Sequence, residues 1–185
     1  MEYTRLGHSG LPVSRFALGC TSYGDPATAA AHCWALDDDA AQPFLRQAVE
    51  LGISFWDTAN VYQHGTSEEL VGRAIKRYSR REDIVLATKV YGKMHDGPGG
   101  QGLSRKAILE QADASLARLG TGYIDLYQIH RFDPHTPVEE TMRSLHDVVK
   151  AGKARYLGAS SMYAWQFAKL QHAADRGGWT RFVAI

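Results

Sequence analysis

Four polar side chains follow apolar runs in a pattern that predicts chemistry on a carbonyl group. Asp57 follows Ile-Ser-Phe-Trp, Lys89 follows Ile-Val-Leu-Ala-Thr, His130 follows Leu-Tyr-Gln-Ile, and Tyr62 comes five residues after Asp57. An ammonium group at the end of a buried run needs a carboxylate neighbour, because burying it unpaired is costly. Asp57, which ends the preceding run, is therefore the expected partner of Lys89.

The lysine also gives Tyr62 a chemical use. A cation beside a tyrosine favours the phenolate and makes the hydroxyl a stronger acid, which suits general acid catalysis near neutral pH. A neutral His130 at the same edge would donate a hydrogen bond to a substrate carbonyl oxygen.

Each residue also has a structural interpretation. Lys89 and Asp57 could be a salt bridge that joins two strands, Tyr62 an ordinary loop aromatic, and His130 a core histidine with its hydrogen bonds satisfied. Taken together, an acid, a cation, a carboxylate and a carbonyl-orienting donor favour carbonyl reduction.

These residues need a scaffold that brings several strand ends to one edge. Short apolar runs alternate with helical patterns, which is typical of parallel strands joined by right-handed crossover helices. A short β-hairpin over residues 3–14 precedes them. The predicted strands cover Phe16–Gly19, Ile53–Trp56, Ile84–Lys89, Tyr123–His130, Ala154–Ser160 and Arg181–Ile185. The carboxyl ends of such strands carry the active site in barrels of this kind.

Helices are predicted between the strands, and several carry capping signals. They begin after Asp37–Asp39 and near Thr66, Ser104, Thr136 and Tyr163. Thr66 and Glu69 have the spacing of a capping box, in which the glutamate reaches back to the cap. Thr136 is the expected cap of the fourth helix, with Pro137 at its first position.

The fold class predicted is α/β, a (β/α)₈ TIM-barrel type with about six β/α units and an N-terminal β-hairpin, in a single partial domain over residues 1–185. Eight units at this strand spacing need roughly 260 residues, whereas the chain has 185. The last predicted strand would leave an unpaired edge. We expect a fragment of a longer barrel; the alternative is a partner that supplies the edge.

Composition excludes several classes of protein. No run approaches the ~20 apolar residues of a membrane helix, and the N-terminus lacks the layout of a secretory signal. The 21 basic and 20 acidic residues are well mixed, so no nucleic-acid or membrane partner is expected. Two cysteines, Cys20 and Cys33, do not make a disulfide framework, and a cytoplasmic location is expected.

Several motifs extend this pattern along the chain. The sequence resembles the aldo-keto reductases in six segments, three of which contain the four polar residues, and the resemblance covers essentially the whole chain in the family's order. The matching segments are Leu6–Ser14, Asp57–Tyr62, Gly65–Glu68, Ala87–Lys89, Tyr123–His130 and Gly152–Ser160.

The resemblance implies a catalytic tetrad of Asp57, Tyr62, Lys89 and His130. Tyr62 would be the proton donor, Lys89 would tune it, Asp57 would hold Lys89, and His130 would orient the carbonyl of a small aldehyde or ketone. The implied activity is reduction of that carbonyl to an alcohol, with hydride from NADPH.

The resemblance also implies cofactor contacts at the same edge. Ser160 and Ser161 would bind the nicotinamide carboxamide, although the family's usual second residue is asparagine. Gly19 and Cys20 would lie close to the cofactor through their backbone, with Asp57 beside them. Family residues that complete the carboxamide site and grip the adenosine phosphate follow later strands, so we expect the 185-residue chain alone to bind NADPH weakly.

A second function remains open at this stage. Relatives on the same scaffold, the potassium-channel β subunits, act mainly as partners and keep the tetrad, so the alternative is a non-catalytic binding or regulatory subunit. Neither oligomeric state nor the particular substrate follows from the residues.

A glycine-rich stretch, Gly97–Gly102, formally matches a dinucleotide-binding fingerprint. The fingerprint needs a tight turn directly after the strand, whereas here about seven residues intervene after Lys89. The stretch is interpreted as a rim loop that helps shape the substrate entrance. No histidine or cysteine spacing predicts a metal site.

Overall fold

A six-stranded parallel sheet, its strands in the same order as in the sequence, organises the chain. The computed structural model describes residues 1–28 and 33–185. A separate antiparallel hairpin, β1 (Tyr3–Arg5) and β2 (Pro12–Ser14), precedes the sheet. The sheet strands are β3 (Ala17–Gly19), β4 (Phe55–Asp57), β5 (Val85–Val90), β6 (Ile124–Ile129), β7 (Ala154–Ala159) and β8 (Phe182–Ala184).

Helices connect the strands in the described part of the chain. They are α1 (Asp38–Glu50), α2 (Thr66–Tyr78), α3 (Arg105–Leu119), α4 (Val138–Lys150) and α5 (Ala164–Gly177). The Asp37 side chain accepts a hydrogen bond from the Ala40 amide at the start of α1, and Ser104 caps α3 in the same way. The repeated strand–helix alternation confirms the α/β class, with an arrangement that fits an incomplete (β/α) barrel.

Two predicted helix caps are wrong. Thr66 is the first residue of α2 and Gly65 is its cap, so the predicted capping box with Glu69 does not form. The Thr66 hydroxyl instead donates to the backbone oxygen of Gln63. Pro137, not Thr136, is the cap of α4, because the Thr136 hydroxyl donates to the carboxylate of Asp133 in the preceding loop.

Strand β4 begins two residues later than predicted. The amide of Ile53 donates to the backbone oxygen of Ala48 at the end of α1, and that of Ser54 donates to Oγ of Ser14 in the hairpin. These residues therefore bond to a helix end and to the hairpin. The predicted hairpin itself is confirmed, and its turn lies against β8, where a Cβ on Gly7 would stand 1.9 Å from the Val183 oxygen.

The core lies between the sheet and the helices. Trp56, Leu86 and Tyr127, on three neighbouring strands, are fully buried. Tyr127 satisfies its hydroxyl by donating to the backbone oxygen of Ile108 in α3. None of the helices in residues 1–28 and 33–185 has the length and apolar character that crossing a bilayer requires.

Candidate active site

The carboxyl ends of three sheet strands and the turn after β4 carry the four residues of the predicted tetrad. Asp57 ends β4, Lys89 is the next-to-last residue of β5, and His130 directly follows β6. Tyr62 begins a short 3₁₀ turn, Tyr62–Gly65, between β4 and α2. Because the strands are parallel and in register, their carboxyl ends meet at one edge, as the sequence predicted.

Lys89 links the other groups through its ammonium. Its Nζ donates to Oδ2 of Asp57 at 2.7 Å, to the backbone oxygen of Thr58 at 2.9 Å and to the hydroxyl of Tyr62 at 3.3 Å. An ammonium has three N–H donors, so these acceptors use them all. The Lys89 side chain is only 6% exposed, whereas that of Asp57 is 32% exposed. The three hydrogen bonds thus fix the ammonium of Lys89 in place, with the hydroxyl of Tyr62 as one of its acceptors.

Tyr62 lies on a turn with an uncommon backbone. Gln63 and His64 have φ of 42° and 53°, and Gly65 has φ of 97°. Left-handed backbone is costly for residues with a Cβ. Here the turn is held from outside, since Gln63 Nε2 donates to the backbone oxygen of Thr21 at 3.0 Å. A Cβ on Gly65 would also stand 2.7 Å from Cδ of Arg118.

His130 lies beside Tyr62, with the ring centroids 5.6 Å apart and the planes at 82°. Burial, followed by the charges of Lys89 and Arg131, lowers the pKa of His130 from 6.5 to about 4. The imidazole is therefore neutral at neutral pH, with one N–H available to a substrate oxygen, as predicted for a carbonyl-orienting donor.

Gln128 is a polar residue of the site that sequence analysis missed. Its Nε2 donates to Oδ1 of Asp57 at 2.8 Å, the carboxylate oxygen that Lys89 does not use. The sequence does contain a sign of this role, because a glutamine within the apolar run before His130 needs a buried hydrogen-bond partner.

The predicted cofactor residues lie at the same edge of the sheet. Ser160 and Ser161 directly follow β7, with their hydroxyls 3.4 Å apart, and Ser161 has φ of 42°. Gly19 ends β3 and is exposed, and nothing lies within 4 Å of the position of a Cβ. Cys20 is fully buried, its amide donates to the backbone oxygen of Asp57, and burial raises the pKa of its thiol.

These residues fit one end of a nicotinamide cofactor. Two adjacent hydroxyls can both donate to and accept from a carboxamide, and the open space at Gly19 lets a ligand approach the backbone. Within the described residues, no group of three or more His, Cys, Asp or Glu side chains is arranged to hold a metal ion.

The glycine-rich loop folds back on itself beside the site. The Gly102 amide donates to the Tyr91 oxygen, and the Met94 amide donates to the Gly100 oxygen. Asp133, in the loop after His130, accepts from the Leu103 amide at 2.8 Å. The two rim loops are therefore joined, and Asp133 is a second residue that the sequence reading did not single out.

The chain is similar to proteins of one known family. The profile of the Aldo/keto reductase family matches residues 15–185. The chain is 48% identical to the versiconal hemiacetal acetate reductase of Aspergillus parasiticus, over 100% of this chain and 58% of that protein. It is 43% identical to aldo-keto reductase AFTS1 of Alternaria alternata, over 99% of this chain and 56% of the relative.

A third relative is the putative aryl-alcohol dehydrogenase C977.14c of Schizosaccharomyces pombe, 42% identical over 99% of this chain and 58% of that protein. The chain thus spans between 56% and 58% of the length of these three relatives.

Proposed function

This chain belongs to the aldo/keto reductase family, and on that premise we propose that the protein containing it reduces aldehydes and ketones to alcohols with NADPH. The observation that carries the proposal is the chain of contacts from Asp57 through Lys89 to the Tyr62 hydroxyl, with the neutral His130 ring beside that hydroxyl. A structural salt bridge alone would not require a phenol as the third group.

The proton would come from Tyr62. Its oxygen already accepts from Lys89 Nζ, so its own O–H is left to point away from the lysine, toward a substrate oxygen. When the carbonyl oxygen gains negative charge, the phenol transfers its proton and Lys89 stabilises the phenolate that remains. Asp57 keeps the ammonium in place, and His130 donates to the same substrate oxygen and orients it.

NADPH, when bound, supplies the hydride that the carbonyl carbon receives. Ser160 and Ser161 would hold the carboxamide of the nicotinamide ring, and the backbone of Gly19 and Cys20 would line the approach next to Asp57. The choice of NADPH over NADH comes from the family resemblance. The choice between NADPH and NADH does not affect the role proposed for Tyr62 as proton donor.

The substrate class proposed is small aldehydes and ketones, including aryl aldehydes. Phe132, in the loop after His130, and Trp165, in the first turn of α5, form an edge-to-face pair with ring centroids 5.9 Å apart. Aromatic rings suit such a pair, and one relative is named an aryl-alcohol dehydrogenase. We place the protein in the cytoplasm, where the unpaired thiols of Cys20 and Cys33 suit a reducing environment.

The test is NADPH oxidation by the full-length protein with a panel of aliphatic and aryl aldehydes and ketones. We expect turnover with the wild type and its loss in Tyr62→Phe, while NADPH binding, followed by fluorescence, is kept in both. Binding without turnover of any carbonyl would instead support the alternative, a non-catalytic regulatory subunit on the same scaffold.

A further inference from the structure

Gln128 contacts the one oxygen of Asp57 that Lys89 leaves unused. We infer that Gln128 is a positioning residue, which holds Asp57 and thereby sets how strongly Lys89 acts on Tyr62. This inference rests on the proposed function for its meaning in catalysis, but the contacts on which it depends belong to the protein itself.

The sheet register brings the participants to one level. Lys89 pairs with Gln128 across β5 and β6, and Gln128 pairs with Gly158 across β6 and β7. Counted over the whole residue, Gln128 is 8% exposed and Lys89 is 5% exposed. A polar side chain at this depth is normally retained only with its hydrogen bonds satisfied.

The chemistry of the contact fixes the orientation of the amide. An ionised carboxylate only accepts hydrogen bonds, so Gln128 must present its nitrogen to Oδ1 of Asp57, as it does at 2.8 Å. Lys89 holds Oδ2 at 2.7 Å. With one oxygen assigned to each donor, Asp57 cannot rotate to offer both oxygens to the lysine.

Gly158 makes room for this arrangement. A Cβ at this position would stand 3.0 Å from Cγ and 3.3 Å from Oε1 of Gln128, and 3.2 Å from Cδ1 of Leu126. Contacts that short force the neighbours to move. The absence of a side chain at Gly158 therefore leaves room for the Gln128 side chain in the position from which it reaches Asp57.

The direction of the effect follows from charge. Without the amide donor, Asp57 has both oxygens available and draws the ammonium of Lys89 away from Tyr62. The phenolate then has less stabilisation, and Tyr62 ionises at a higher pH. A glutamate at position 128 adds a second negative charge beside Lys89 and moves the ionisation in the same direction, by more.

Of the other titratable groups beside this cluster, His130 and Cys20 are neutral near pH 7, and the Arg131 cation acts on His130. The ring of His130 lies against Tyr62, but burial lowers the pKa of His130 to about 4. The amide of Cys20 donates to the Asp57 backbone, and burial raises the pKa of its thiol. Lys89 and Asp57 are thus the charges through which Gln128 acts.

The experiment compares Gln128→Met, which keeps the length and removes the donor, with Gln128→Glu in the full-length protein. Tyrosine labelled with ¹³C at Cζ reports ionisation by NMR, and Tyr62→Phe assigns the signal among the nine tyrosines of this chain. The matched control is Gln171→Met. Gln171 lies in α5, and its amide makes two hydrogen bonds to the backbone of Phe182 in β8, away from the carboxyl ends of the strands.

We expect the Tyr62 ionisation midpoint to rise by less than about 1 pH unit in Gln128→Met, which removes only a neutral donor, and by roughly 1–3 units in Gln128→Glu, which adds a charge. Gly158→Ala should give a smaller rise, and Gln171→Met none. The kcat should fall about 10-fold in Gln128→Met, the smallest loss typical when a residue that orients another functional side chain is removed. The alkaline limb of the pH profile of kcat should move to higher pH.

If the ionisation midpoint of Tyr62 in both Gln128 variants equals that of the wild type, the inference is overturned. A glutamine with only a structural role would change stability without changing the ionisation of Tyr62. If Gln171→Met moves the midpoint as far, the effect is a general loosening and the inference also fails. If the wild type reduces no carbonyl, the proposed function fails, while the NMR titration still decides the role of Gln128.

Discussion

The ion pair between Lys89 and Asp57 gives a prediction that separates its structural role from its catalytic role. At 2.7 Å between Nζ and Oδ2, Coulomb's law with an effective dielectric constant of about 20 gives roughly 6 kcal/mol of attraction, before the cost of desolvation. Exposed pairs contribute up to about 1 kcal/mol, and breaking a buried pair costs about 3–5 kcal/mol. This pair is buried at the lysine and one-third exposed at the aspartate, so we expect a coupling of about 2–3 kcal/mol.

The assay is a double-mutant cycle with Lys89→Met and Asp57→Asn, measured by denaturant unfolding of the full-length protein at neutral pH. Asp57→Asn should be the more destabilising single change, because it strands the deeper charge. The double variant should recover about 2–3 kcal/mol relative to the sum of the single changes. An asparagine still accepts from Gln128, which limits rearrangement in the double variant.

Activity must not recover together with stability. The double variant restores charge balance but holds no ammonium beside Tyr62, so its kcat should stay at least about 100-fold below that of the wild type. A coupling below about 1 kcal/mol would show that solvent screens the pair. A double variant that is both stable and active would refute the reasoning, because Lys89 would then be only a salt bridge between strands.

Three further predictions concern the surroundings of this pair. Tyr62→Phe should lower kcat by about 10²–10⁴-fold in an NADPH-oxidation assay, whereas Tyr163→Phe, at a side chain 71% exposed, should leave kcat unchanged. Because the pKa of His130 in the folded protein is lowered to about 4, the imidazole binds a proton in the unfolded chain at a higher pH than in the folded one. The free energy of unfolding should therefore fall as the pH drops from about 6.5 to 4, and His130→Gln should remove about 1–2 kcal/mol of that fall in acid unfolding curves. Arg118→Ala leaves the fully buried Glu68 carboxylate, 2.6 Å from Arg118 Nε, without its cation, and should cost about 3–5 kcal/mol in denaturant unfolding; a loss under about 1 kcal/mol would contradict this.

The site residues that could be predicted from the sequence share one property. Asp57, Lys89 and His130 come at the ends of apolar runs, and the parallel topology itself brings such ends together. The pairing of Lys89 with Asp57 follows from desolvation alone, since a buried ammonium needs an anion and one is available on the neighbouring strand.

Residues whose partners are distant in sequence could not be predicted in this way. The Thr66 and Glu69 pattern is a local capping signal, yet Thr66 also accepts from the Asp25 amide at 2.8 Å. Glu68, within the same segment, is buried and accepts hydrogen bonds from Thr88 at 2.5 Å and from Arg118 at 2.6 Å. A short pattern specifies which side chains can make a hydrogen bond, but the fold decides which partner is nearest.

The position of the proposed acid shows why this distinction matters for function. Gln63 and His64 both have positive φ directly after Tyr62, and each such residue costs of order 1–3 kcal/mol unless its surroundings compensate. The compensation comes from outside the motif, from the Thr21 oxygen in the loop after β3 and from Arg118 of α3 packed on Gly65. Elements that contribute no catalytic group therefore hold the turn that aims the phenol of Tyr62. Loosening either contact should disturb the distance from Tyr62 to Lys89 while every residue of the tetrad is still present.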